Sequence, residues 1–398
     1  MKTTRLIFLY FFISCVYLNA QEVTMNAATR VIEEIKNQYA PDNRTAIFEI
    51  GANKNAERFT LSGETNIPEA KQELLNKLKK LNLSFTDEIN LLPGKSLGDK
   101  IYGVVNLSVE NIRSNPNDRA ELATQVLLGT PIKIFKKAPE YYLVQTPDNY
   151  IAWISETGIV RMTKSRFYDW MKSEKIIFTK EFGFSYSQPN ELSQRVSDLV
   201  AGNLLLVIGE ENNFFKVKYP DNRIAYIEKS NCELFNSWLE KRNTTGEDIV
   251  ATAKLFMGIP YLWGGTSVKG MDCSGFTKTV YFLNGIVLSR DASQQVNTGI
   301  LVDTKNGFDN LRAGDLLFFG SQATDSTKER VTHVGIYIGD LRFIHDSGMV
   351  KINSLDKSAA DFSEFRLTHF IRAKRILNSI DKNGISSIKG NKFYMGEM

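Results

Sequence analysis

Cysteine and histidine are scarce in this chain of 398 residues, which holds three of each. Cys15 falls in a leader-like stretch, so at most one bridge could join Cys232 and Cys273, and a disulfide framework is excluded. Charge of one sign is also lacking. Lys and Arg number 49 against 45 Asp and Glu, and the net charge of +4 is spread along the chain, giving none of the basic stripe that nucleic-acid binding needs. No apolar run after the first 20 residues is long enough to span a bilayer. Disorder is excluded by a 42% hydrophobic share and a 24% charged share. Aromatic residues are plentiful instead: 25 Phe and 15 Tyr suit small β-rich modules and clefts for sugars or peptides. The length implies two to four domains.

The N-terminus reads as an export signal over residues 1–20. Lys2 and Arg5 form its basic end, Leu6 to Val16 its apolar stretch, and Ala20 the small residue before the cut. This predicts a periplasmic or extracellular protein without a transmembrane segment in the mature chain; lipid anchoring at Cys15 is the alternative. Residues 21–100 read as a helical and irregular segment. Ala28, Val31, Ile32 and Ile35 share one helical face, and a second stripe of Leu74, Leu75 and Leu78 follows Pro68. The segment is too small for a deep core and is expected to pack on its neighbours.

From 101 to 170 the hydrophobic period becomes two. Short β-branched and aromatic runs separated by turn residues predict a small β-barrel. The rhythm returns over 171–240, where Tyr219-Pro220-Asp221-Asn222-Arg223 repeats Thr146-Pro147-Asp148-Asn149-Tyr150, so the second barrel reads as a diverged copy of the first. A short helix around Phe167–Met171 links them. Residues 241–378 then carry a helix starting near Cys273, followed by strands with His333 and His345, which is an α+β arrangement. A tail over 379–398 closes the chain.

A cysteine hydrolase needs a thiolate, a base in reach and a group that fixes the base. At a helix start Cys273 meets free backbone N–H groups, which favour the thiolate and can hold an oxyanion. His333 and His345 sit on two strands joined by a tight turn, so one ring can act as base and the other can orient it. Two other readings of Cys273 are an inert core thiol and, with both histidines, a zinc site. His369 reads as a structural residue on a late strand, and Cys232 as an ordinary buried thiol.

The runs Tyr261-Leu262-Trp263-Gly264-Gly265, Met271-Asp272-Cys273-Ser274-Gly275-Phe276, Arg290-Asp291-Ala292-Ser293-Gln294-Gln295, Leu311–Phe319 and His333-Val334-Gly335-Ile336-Tyr337 resemble the NlpC/P60 cysteine peptidases. Upstream, the stretches 105–114, 121–125 and 148–153 resemble the bacterial SH3 domains of YkfC-like γ-D-glutamyl-L-diamino acid endopeptidases, which carry two of them. The resemblance implies an α+β protein with a papain-like catalytic domain behind two small SH3-like barrels. Cys273, His333 and His345 would be its catalytic residues, with no metal or organic cofactor. The implied substrate is a murein stem peptide, L-Ala-γ-D-Glu-diamino acid, with a free L-Ala amine. Asp291, Glu121 and Tyr150 are the candidates for the amine end, and Trp263 for the groove wall. Ser274 could orient the D-Glu carboxylate, while Asp272 stabilises the loop. Where that family often places Ser or Thr directly after the Asp, this chain has Ala292. Alternatives are an amidase or acyltransferase of the same superfamily, or a cell-wall binding protein without activity. Preference for diaminopimelate or lysine, and the oligomeric state, are open at this stage.

Overall fold

A computed structural model of the chain describes residues 25–55 and 58–398, so the expected signal at 1–20 lies outside the described residues. The described residues form two compact units that divide at Leu97.

The first unit opens with a helix, α1, over 25–39. It continues through β1 (Phe48–Asn55), β2 (Arg58–Thr65), α2 (Pro68–Lys80) and β3 (Phe85–Leu91). The predicted apolar face of α1 is buried with Leu61, Ala70, Leu74 and Leu78. Strands β1 and β2 pair antiparallel, and α2 crosses over to bring β3 parallel to β2. The helical and irregular segment expected here is thus a three-stranded sheet with two helices and a core of its own.

In the second unit β4 (Tyr102–Val105), β5 (Val109–Arg113), β6 (Leu122–Leu127), β7 (Pro131–Ala138), β8 (Tyr141–Gln145), β9 (Ile151–Ser155) and β10 (Ile159–Met162) form one sheet. After α3 (Lys164–Lys172), a second sheet is built from β11 (Lys175–Phe178), β12 (Phe182–Tyr186), β13 (Arg195–Val200), β14 (Leu204–Glu211), β15 (Phe214–Lys218), β16 (Ile224–Glu228) and β17 (Cys232–Leu234). The strand orders are β10-β4-β7-β8-β9-β5-β6 and β17-β11-β14-β15-β16-β12-β13, the same order shifted by seven strands. The repeated five-residue turns also match: Asn149 and Asn222 both hold positive φ, and Thr146 pairs with Tyr150 as Tyr219 pairs with Arg223.

The sheets do not close, which corrects the expectation of two barrels. Each order has two ends, and among the described residues no ladder joins β6 to β10 or β13 to β17. Closure is unnecessary because other elements cover the edges. Thr266 Oγ1 donates to the Gln125 carbonyl of β6, and Thr266 N–H to the Gln125 side chain. At the far end of that sheet, α3 stacks Phe167 on Tyr102.

The last part contains α4 (Phe235–Glu240), α5 (Gly246–Leu255), a two-residue hairpin of β18 (Thr266–Ser267) and β19 (Gly270–Met271), and α6 (Cys273–Phe282). Then come β20 (Ile286–Val287), α7 (Ala292–Gln295), β21 (Ile300–Val302), β22 (Leu316–Ser321), β23 (Arg330–Gly339), β24 (Arg342–Asp346), β25 (Val350–Ser354), α8 (Glu364–Thr368), β26 (Phe370–Arg375) and β27 (Ser386–Ser387). Six strands form one antiparallel sheet in the order β21-β26-β22-β23-β24-β25. Helix α6 buries Phe276 and Val280 among Val334, Ile336 and Ile344 of that sheet. The α+β expectation holds for this part. Its tail is not loose: Asn391 donates to the Pro147 carbonyl, and Tyr394 packs on Phe282.

Candidate active site

The β18–β19 hairpin delivers the chain to Asp272, whose carboxylate accepts the Gly275 N–H at 2.7 Å and caps α6. Cys273 is therefore the first helical residue. Gly275 is required by a close approach, since a Cβ there would meet the Gly265 carbonyl oxygen at 1.9 Å.

Beneath the helix terminus, Asp340 and Leu341 both hold positive φ and turn β23 into β24. The register, Ile336 opposite Ile344, sets His345 beside Gly335. A Cβ at Gly335 would lie 3.0 Å from the His345 Cβ, a tight approach that glycine relieves where His345 reaches diagonally to His333. The two rings meet with Nε2 of His333 2.7 Å from Nδ1 of His345. Behind them, His345 Nε2 lies 2.9 Å from Asn353 Oδ1, and Asn353 Nδ2 donates to the Asp361 carbonyl at 3.0 Å.

This relay fixes the tautomers. The Asn353 amide donates to a carbonyl, so its oxygen faces His345 and accepts the Nε2–H. His345 Nδ1 then carries a lone pair and accepts the Nε2–H of His333. His333 keeps Nδ1 unprotonated, the form a general base needs.

The helix terminus is one of several influences on the thiol. Burial pushes the Cys273 thiol up to about 12, with Asp272 adding to the rise; the Val334 and Ser274 N–H groups and Arg290 pull the other way. Burial also holds His333 well below the ordinary imidazole range, with Arg366, His345 and Lys351 adding to the effect, and brings His345 to about 4. Desolvation thus opposes the helix terminus and disfavours the charged form of both the thiol and the imidazole. Alkylation of Cys273 by iodoacetamide is therefore expected to rise about tenfold per pH unit from pH 6 to 9. The rate is read by mass spectrometry against a Cys273→Ser blank. A plateau between pH 5 and 8 would show a thiolate–imidazolium pair instead.

Arg290 is the residue the sequence reading passed over. Its guanidinium is 1% exposed and pairs with both oxygens of Asp272, at 2.6 and 3.1 Å. It also donates to Ser274 Oγ at 3.0 Å and to Thr124 Oγ1 of β6 at 2.9 Å. Asp272 takes the Gly264 N–H as well, so the side chains of Asp272 and Ser274 are engaged by this network. One signal was present in the sequence, an arginine directly before Asp291.

The first module meets this site. Glu121 Oε1 accepts the indole N–H of Trp263 at 2.7 Å, and the Trp263 side of that pair is 63% exposed. Tyr150 is buried within electrostatic reach of Arg290. Asp291 lies 4.0 Å from Arg290 and starts α7, its N–H bonded to the Gln294 side chain. Tyr150 and Asp291 thus lie about Arg290, while Glu121 and Trp263 form a pair of their own, linked to that network through the Gly264 N–H on Asp272. His369 is elsewhere: it ends α8 rather than sitting within a strand, with Nδ1 on the Phe365 carbonyl at 2.9 Å. Cys232 is buried in the second module.

Asp346 follows His345 and therefore faces the opposite side of the sheet. It is wholly buried, neither carboxylate oxygen has a hydrogen-bond partner, and burial pushes its carboxyl up to about 7.

Comparison with known proteins agrees with this geometry. Residues 258–368 match the NlpC/P60 family, and residues 112–159 match the bacterial dipeptidyl-peptidase Sh3 domain. A γ-D-glutamyl-L-lysine dipeptidyl-peptidase from Bacillus cereus is 32% identical over 233 residues, covering 56% of this chain and 67% of the relative. One of the same name from Bacillus subtilis is 29% identical, covering 56% and 72%. The crystal structure of an NlpC/P60 family protein from Bacillus cereus superposes with a TM-score of 0.59 at 25% identity, covering 69% of this chain and 99% of that one. The likeness thus extends over sequence and fold, and the chain belongs to the NlpC/P60 family of cysteine peptidases.

Proposed function

We propose that the protein hydrolyses the γ-D-glutamyl–diamino acid bond of murein stem peptides that carry a free N-terminal L-Ala, and that it does so after export. The observation that carries this reading is the placing of Asp291 and Tyr150 about Arg290, which pairs with the Asp272 cap of the Cys273 helix, with the Glu121–Trp263 pair contributed across the same two modules. Carboxylates suit an ammonium group, and a blocked amine cannot offer them the charge-assisted hydrogen bonds that a free one does. The names of the Bacillus relatives, which specify γ-D-glutamyl-L-lysine, support the same substrate class.

In this mechanism Nδ1 of His333 takes the proton from Cys273 as the sulfur attacks the amide carbonyl. The new imidazolium keeps its Nε2–H on His345, which Asn353 holds in place. Backbone N–H groups at the start of α6 stabilise the oxyanion. His333 then protonates the departing amine, and water, deprotonated by the same ring, releases the acyl group from sulfur. Asp272 acts by capping the helix and pairing with Arg290, and Ser274 by completing that network.

Incubation with L-Ala-γ-D-Glu-L-Lys is expected to release lysine and L-Ala-D-Glu, identified by mass, while the N-acetylated peptide stays intact. Asp291→Asn should raise KM by about 10- to 100-fold for the free-amine peptide, the size of one hydrogen bond to a charged group. Equal cleavage of both peptides would remove the amine requirement. Cleavage at another bond would remove the proposed specificity.

A further inference from the structure

Four arginines in the peptidase part are partly or wholly withdrawn from solvent: Arg290, Arg366, Arg372 and Arg375. Three have a carboxylate partner. Arg290 pairs with Asp272, Arg372 with Glu329, and Arg375 with Asp315. Arg366 of α8 has none within ion-pair distance among the described residues. Its guanidinium makes one side-chain hydrogen bond, to Ser347 Oγ at 3.3 Å, and lies over the rings of Phe319 and Phe365 at 5.6 and 5.4 Å.

An arginine keeps its charge under all ordinary conditions, so a half-buried one with a single long hydrogen bond bears a desolvation cost that its own fold does not repay. Aromatic faces orient the guanidinium plane but leave its edge donors unspent. The charge is also placed where the chemistry is: it acts on Cys273, His333 and His345 alike. Its hydrogen bond and ring contacts come from Ser347, Phe319 and Phe365 of the peptidase part. The acidic groups Glu121 and Asp291 are thus matched by a cation that has no carboxylate of its own among the described residues.

We propose that Arg366 is a binding site for a substrate carboxylate on the leaving-group side, the α-carboxylate of the diamino acid. The proposal rests on the reading of the substrate given above. In a γ-D-glutamyl-diamino acid peptide this carboxylate hangs on the carbon attached to the scissile nitrogen. A planar guanidinium can take both of its oxygens together. Amine recognition at one end and carboxylate recognition at the other would fix the direction and length of the peptide across the sulfur.

The test compares L-Ala-γ-D-Glu-L-Lys with its C-terminal amide, and with the peptide whose D-Glu α-carboxylate is amidated, on the parent, Arg366→Met and Arg366→Lys proteins. Arg366→Met should lower kcat/KM for the acid about 10- to 100-fold and leave the C-terminal amide within about twofold. Arg366→Lys should fall between. Equal losses on the acid and the amide would overturn the proposal in favour of a field or packing role. A loss that vanishes only when the D-Glu carboxylate is amidated would place the contact on the acyl side and also overturn it. Melting curves identify a variant that fails to fold. If the parent cleaves none of these peptides, the substrate reading has failed; calorimetric titration of the Cys273→Ala protein with the acid and the amide still reads Arg366, and equal binding of the two refutes it.

Discussion

Cys273→Ala is expected to leave a folded protein that binds the peptide and releases product about four to six orders of magnitude more slowly. The thiol sits at the helix start, at one end of the buried cluster that includes Met271, Phe276 and Val334, so removing one sulfur disturbs little packing, and the melting temperature should move by only a few degrees. Losses along the relay should be graded. His333→Ala should approach the loss seen for Cys273→Ala, because without the Nδ1 lone pair the neutral thiol has no acceptor. His345→Ala should cost about 10² to 10⁴, the range seen when a base keeps its place but loses the partner that sets its tautomer. Asn353→Ala acts one bond further out and should cost less. Single-turnover kinetics with mass detection reads all four. A Cys273→Ala protein that cleaves at the parental rate would end the covalent mechanism.

The second large effect concerns stability. Arg290→Met removes the cation that neutralises Asp272 in a site where both are buried. The carboxylate cannot turn to water, because it also caps α6 and holds the Gly264 N–H. Breaking one side of such a pair costs about 3–5 kcal/mol, whereas replacing both sides costs far less. Urea unfolding should therefore show a large loss for Arg290→Met and a partial recovery in Arg290→Met with Asp272→Asn. The bond from Arg290 to Thr124 adds a second signature: the variant should also loosen the first module from the peptidase part, seen as faster amide exchange along β6. A loss below about 1 kcal/mol would show that Asp272 finds other partners.

Much of this was legible in the sequence where one periodic pattern met one neighbour. The buried face of α1, the helix after Pro68 and the helix at Cys273 follow from spacing alone, as does the meeting of His333 with His345 through a two-residue turn. What escaped depended on partners distant in the chain. Asn353 lies in β25, where Val-Lys-Ile-Asn-Ser reads only as alternation, and nothing local marks it as the third member of the relay. Arg290 reads as one letter of a motif until Thr124, more than 160 positions upstream, is placed beside it. The strands of the first unit are rich in polar residues and do not read as core. Whether a seven-stranded sheet closes is decided by what covers its edges, here Thr266 and α3, and short strands give no sign of that. The burial of the thiol escaped for a similar reason: a helix start is visible in sequence, whereas depth is not.

The repeated turn has had two careers. In the first copy, Asp148 pairs with Lys278 of the nucleophile helix, and Tyr150 lies near Arg290. In the second, Asp221 accepts from Asn106 of the first copy, and Arg223, at the position of Tyr150, reaches back to Asp221 and to the Asn106 carbonyl. The aspartate kept its job of mooring a copy to the body beside it, while the residue two places on became free to specialise. Duplication thus left one turn tied to the peptidase part through Asp148 and Lys278, and its twin tied to the first module through Asp221 and Arg223.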